Sequence, residues 1–149
     1  MAYTIRLGTP DDAAAIQSLI HELAEFENEP DAVDTTVESL REDGFGPNPV
    51  FQVFVAENDD KEIVGIALFF MGYSTWKGRM LYLDDLVVRE SVRGQGIGRA
   101  LLDRLMVQAK EEKAQVVCWQ VLDWNKPAVD FYESVGTTIQ KGWWNCRVY

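Results

Sequence analysis

The segment Arg93-Gly94-Gln95-Gly96-Ile97-Gly98-Arg99 places three glycines at alternate positions just before an amphipathic run, and its natural chemistry is anion binding. Glycines let a short loop turn its backbone N–H groups toward one point, and a helix starting there adds the partial positive charge of its N-terminus. A phosphate or pyrophosphate is the group such a loop holds. Two familiar phosphate loops do not fit. A Walker A loop closes on Gly-Lys-Ser/Thr, and the dinucleotide fingerprint needs Gly-x-Gly-x-x-Gly where this chain has Gly-x-Gly-x-Gly. Upstream, Leu81-Tyr82-Leu83-Asp84-Asp85-Leu86-Val87-Val88 is a strand-forming run with two consecutive carboxylates. On a regular strand these point to opposite faces, so only one is expected to face a substrate directly. The remaining polar residues of note read as structural. His21 lies between Ile20 and Leu23 on a helix and is expected at an interface or solvent face. Cys118 and Cys146 are too few for a disulfide framework or a zinc site, so no metal is expected.

Positioning these groups requires a set of helices around a sheet. Tyr3–Leu7 opens as a strand, and Thr9-Pro10-Asp11-Asp12 starts a helix that runs to about Phe26 on Ile16, Leu19, Ile20 and Leu23. Val37–Glu42 predicts a short second helix stopped at Gly44-Phe45-Gly46. Phe51–Ala56, Ile63–Tyr73 and Met80–Val88 predict a meander of strands. The glycine-rich loop then opens a helix carrying Leu101, Leu102, Leu105, Met106 and Ala109 on one face. Val116–Leu122 predicts a strand, Pro127–Val135 a helix, and Thr138–Tyr149 a last strand or hairpin with Trp143 and Trp144 on opposite faces. Helices spaced around a largely antiparallel sheet make the fold α+β (mixed α/β). The 149 residues, 47% of them hydrophobic, suit a single domain over 1–149. With 14 basic against 24 acidic side chains, the net charge of −10 repels nucleic acid and attracts cations. No apolar run approaches the ~20 residues of a membrane span, and the N-terminus lacks a signal-peptide pattern. A cytoplasmic enzyme or binding module without a membrane partner is therefore expected.

Two segments carry a family resemblance. Arg93-Gly94-Gln95-Gly96-Ile97-Gly98 resembles the Arg-x-x-Gly-x-Gly/Ala loop of the GNAT N-acetyltransferases, and Asn125-Lys126-Pro127-Ala128 with Phe131-Tyr132 resembles that family's Asn-x-x-Ala…Phe-Tyr segment. The resemblance implies a mostly antiparallel twisted sheet of six to seven strands flanked by about four helices. It implies acetyl-CoA as the donor, held by Arg93, Gly94, Gln95, Gly96, Ile97, Gly98 and Arg99, by backbone groups of Leu86, Val87 and Val88, and by Asn125, Pro127, Ala128 and Tyr132.

Glu42-Asp43-Gly44-Phe45-Gly46, Leu81–Asp85 and Trp124-Asn125-Lys126-Pro127 are similar to the spermidine/spermine and thialysine acetyltransferases, a subfamily in which homodimers are common. In that frame Tyr132 is the general acid, Asp84 contacts the amine or an ordered water, and Phe26, Glu27, Asp85, Trp76, Trp119 and Trp144 surround the amine. The chain departs from the polyamine enzymes at Asp84, Phe26 and Ser74, where they carry Glu, Tyr and an acid. A shorter amine or a lysine-like substrate is then as well matched as a long polyamine. Acetylation of protein amines and a non-catalytic acetyl-CoA sensor are the alternatives.

Overall fold

A computed structural model describes residues 2–149. The chain falls into two compact units, Met1–Trp119 and Gln120–Tyr149. The first unit contains a five-stranded sheet in sequential order, β1 (Tyr3–Leu7), β2 (Gln52–Asn58), β3 (Ile63–Ser74), β4 (Gly78–Val88) and β5 (Val116–Cys118). Neighbours are antiparallel except for β4 and β5, which run parallel. That one parallel pair needs a crossover, and α3 (Ile97–Glu111) supplies it.

Each sheet face is covered. α1 (Ala13–Phe26) and α2 (Val37–Phe45) pack on one side, where Ile16, Leu19 and Leu40 meet Val55, Ile66 and Val87. α3 covers the other, close enough that a Cβ on Gly65 would lie 3.1 Å from Leu101 and 3.2 Å from Ile97. On that side Phe54 and Phe69 stack at 5.3 Å, and the Arg104 guanidinium lies 4.4 Å from the Phe54 ring centroid. The helix and strand positions expected from periodicity are present, with two differences inside this unit. α2 continues through Gly44, because the Phe51 ring occupies the space a side chain would need; the glycine serves packing, and Gly46 ends the helix. The strand expected over Val116–Leu122 is only three residues long.

The second unit holds α4 (Lys126–Ser134), with Pro127 in its first turn and Gly136 at φ +87° just past its end. The sheet has five strands rather than six or seven, because Thr138–Tyr149 forms no strand. Gly142 at φ +94° breaks the extended run, and Trp143 and Trp144 stay 77% and 93% exposed. Strand-forming composition alone does not make a strand, which also needs ladder hydrogen bonds and a buried face. No helix among the described residues is long and apolar enough to cross a membrane.

Candidate active site

The centre of interest is a break in β4. Phe69 of β3 pairs with Leu83, and the adjoining Leu68 pairs with Asp85, so Asp84 is the extra residue of a bulge. A bulge of this kind shifts the side-chain alternation. Leu81 and Leu83 face α3, whereas Asp85 and Val87, though of the same parity, face α1 with Leu68 and Ile66. The expectation that Asp84 and Asp85 alternate as on a regular strand is corrected accordingly. Asp84 is exposed on the bulge, and Asp85 is half-buried on the α1 side.

Burial does most to raise the Asp85 pKa to about 7, and the neighbouring charges of Asp84 and Glu27 add to it. Glu27 closes α1 as its C-cap residue and is itself raised by burial. Three carboxylates from two elements thus share one field, and one of them titrates near neutrality. Burial also raises the Cys118 thiol, as expected for a packed cysteine and not for a reactive one.

The same shift of alternation brings Phe70 and Tyr82, stacked at 5.2 Å, onto the face that carries Asp85. Sequence reasoning passed over this pair. A pattern read on β4 alone assigns Tyr82 and Asp85 to opposite faces, and only the register against β3 puts them on one.

Beyond the bulge β4 has an open edge. Its ladder with β5 spans only Met80–Tyr82, so among the described residues no strand lies beside Leu83–Val88. Arg89 donates its backbone N–H to Val64 of β3 at 2.9 Å, so the strand's alternation turns the peptide groups of Leu86 and Val88 toward the open side. Val88 O there accepts from Arg93 Nε at 3.1 Å. A ligand with amides of its own can add to such an edge as a strand would.

The edge leads into the glycine-rich loop. Gly94 and Gly96 have φ +79° and +83°, values that suit glycine, and Gly96 caps α3. Tyr3 Oη donates to Gly96 O at 3.3 Å from β1, and the Arg93 guanidinium lies 5.4 Å from the Phe26 ring centroid at the end of α1. Arg93, Gly94, Gln95, Gly96 and Arg99 are exposed, Ile97 is buried as an anchor, and Arg99 pairs with Asp103 at 3.0 Å. The first unit therefore brings together the acidic group, the open edge and the loop. It does not bring Trp76 to them. Trp76 sits in the β3–β4 hairpin turn, 84% exposed, beyond the Ser74–Gly78 pair that lies roughly 20 Å along β3 from the Leu68–Asp85 pair. Trp119, next to β5, is half-buried.

In the second unit the Asn125 side chain accepts the Ala128 N–H at 3.3 Å and so caps α4. Pro127 presets the first turn, and Tyr132, two turns on, is 8% exposed beside Phe131. Trp144 belongs to the exposed C-terminal segment.

The chain matches the acetyltransferase (GNAT) family over residues 16–137. It is 39% identical to the thialysine N-epsilon-acetyltransferase of Bos taurus, over 93% of this chain and 88% of that one. It is 35% identical to the human spermidine/spermine N(1)-acetyltransferase-like protein 1, over 95% of this chain but 22% of that longer protein. In fold it is similar to an aminoglycoside N-acetyltransferase solved in complex with CoA, with a TM-score of 0.79 at 14% identity, covering 99% of this chain and 95% of that one. A bulged β4 with an open edge, feeding a glycine-rich loop at the start of α3, joins these findings to one conclusion: the chain belongs to the GNAT family and is an acetyl-CoA-dependent N-acetyltransferase.

Proposed function

We propose that the enzyme acetylates the primary amine of a small cationic substrate, a diamine, a polyamine or a lysine- or thialysine-like amino acid. The observation that carries the reading is the carboxylate group of Asp85, Asp84 and Glu27 at the point where the open edge of β4 begins. The net charge of −10 adds long-range attraction for a cation, and the stacked Phe70–Tyr82 pair offers it a polarisable wall. The likeness to thialysine N-epsilon-acetyltransferases, and to a spermidine/spermine N(1)-acetyltransferase-like protein, supports the same class. A panel of spermidine, putrescine, thialysine, lysine and a basic peptide, read by thiol release from acetyl-CoA, tests it. The expected result is preference for a small cationic amine, with apparent affinity falling as salt is added. A neutral aromatic amine acetylated better than every cation in the panel would remove the proposal.

The residues fit the donor. A pyrophosphate suits the N–H groups of the Arg93–Gly98 loop, and a pantetheine arm suits the peptide groups of Leu86 and Val88. An alkylammonium has a pKa near ~10.4 and must lose a proton before it can attack. Asp85, deprotonated above about 7, takes that proton directly or through water, and Asp84 on the bulge contacts the substrate or an ordered water. The Leu86 N–H, turned to the open edge, would donate to the thioester oxygen and stabilise its developing charge. Tyr132 protonates the departing thiolate. Trp119 belongs to the proposed wall of the site, and a cytoplasmic homodimer is the proposed working form, with the exposed Trp143 and Trp144 as its contact surface.

Gly96→Val tests the loop. Its φ of +83° is strained for valine, and side-chain bulk there interferes with amides aimed at phosphate. Calorimetry is expected to find acetyl-CoA binding weakened about tenfold or more, as expected for a loss of ~1.4 kcal/mol or above. Unchanged affinity in a folded variant would remove the loop from the donor site.

A further inference from the structure

We infer that Glu22 of α1, which belongs to neither the acidic group nor the loop, is a positioning residue for the donor site. Its carboxylate is shared between two partners at the exit of β4. Oε2 accepts from Arg89 Nη1 at 3.1 Å, and Oε1 accepts the backbone N–H of Glu90 at 2.9 Å. Glu90 opens the 3-10 turn Glu90–Val92, and the next residue is Arg93. One side chain thus holds both the cation before that turn and a backbone N–H in its first residue.

Arg89 is tied down twice more, through its Nε to Ile63 O at 3.3 Å and through its backbone N–H to Val64 O. One helical turn further along α1, on the same side, Phe26 stacks on Arg93. Glu22 and Phe26 therefore grip the two ends of the connection that delivers Gly94–Gly98, and the residue after Phe26 is Glu27 of the acidic group. The loop amides can hold a pyrophosphate only in one relative orientation, so fixing where the loop starts lowers the cost of ordering it on binding. An open surface depression of about 480 Å³, lined by Glu22, Arg89, Glu90 and Ser91, leaves the ion pair in contact with water. The effect is accordingly moderate.

The inference rests on the loop's being the donor site, and the test separates the two. CoA binding is measured by calorimetry for wild type, Glu22→Gln, Glu22→Ala and the exposed control Glu25→Gln, with steady-state kinetics alongside. Glu22→Gln, which keeps the shape and an acceptor but loses the charge, is expected to weaken CoA about threefold. Glu22→Ala, which loses both contacts, is expected to weaken it about tenfold. The KM for acetyl-CoA rises in step, while kcat at saturation, the amine KM and Glu25→Gln stay within twofold of wild type. Arg89→Ala combined with Glu22→Ala adds little to either alone. A residue that only stabilised the fold would lower the unfolding midpoint and the active fraction and leave KM where it was. That outcome, or CoA affinity in both Glu22 variants equal to wild type, overturns the inference. Gly96→Val is titrated alongside, and a folded Gly96→Val that binds CoA as tightly as wild type overturns the donor-loop reading and the inference with it.

Discussion

Asp85→Asn is expected to lower kcat/KM for the amine at pH 7 by about 10²-fold or more, the range in which general-base catalysis falls. Asn keeps the shape and removes the charge. In wild type the carboxyl loses its proton near pH 7, so kcat/KM for the amine should rise with pH through that value. In the variant this limb of the profile disappears, and only the limb set by the amine's own ionisation remains. A profile whose limb near 7 survives in Asp85→Asn would assign the proton transfer to another group, with Glu27 and Asp84 the next to test.

The same substitution should make the free protein more stable at alkaline pH. Asp85 is raised in the folded state, so between the ordinary carboxylate value and about 7 the native protein binds more protons than the unfolded chain. Stability then falls as pH rises through that window, and the full cost persists above it. A displacement to about 7 corresponds to at most about 4 kcal/mol, which the uncharged variant does not incur. At about 2–4 °C per kcal/mol for a chain of this size, the unfolding midpoint of Asp85→Asn should exceed that of wild type by several degrees at pH 8. The difference should close toward pH 4. A gain in stability with a loss of turnover marks a carboxylate held against its own solvation for chemistry.

What the sequence disclosed depended on whether a signal was local. The glycine-rich loop was legible because alternating glycines before a helix have few other uses, and the positive φ of Gly94 and Gly96 gives the physical reason. α1, β3, β4 and α3 were legible from periodicity, since each buries a face whose pattern is written in consecutive residues. The bulge was not. It is a mismatch between β4 and β3, and reading β4 by itself assigned Asp84 and Asp85 by simple alternation. The aromatic pair Phe70–Tyr82 was missed for the same reason. Glu22 was invisible because its partner, Arg89, is 67 positions away and no motif links them. At the C-terminus composition misled, because Thr138–Tyr149 is rich in residues that favour strands, yet a strand is stabilised by an edge and a buried face that residue types alone do not specify.

Tyr132→Phe is expected to remove the proton donor for the coenzyme A thiolate while leaving its surroundings in place. The ring is 8% exposed beside Phe131, on a helix fixed at its start by Asn125 and Pro127, and Tyr132 O accepts the N–H groups of Val135 and Thr137 at 3.2 and 3.1 Å. Phenylalanine keeps the ring and all of these contacts, so the ring position and CoA affinity should change little. Turnover should fall by about 10²–10³, the lower half of the range for general acid catalysis, because a thiol of pKa near ~8.5 is a tolerable leaving group and water substitutes in part. The loss should appear in kcat and kcat/KM alike, since the proton moves only in the transition state. It should narrow above pH ~8.5, where a thiolate departs without needing a proton. Turnover within threefold of wild type at every pH would reduce Tyr132 to a packing residue, and the proton would then come from water or from the amine itself.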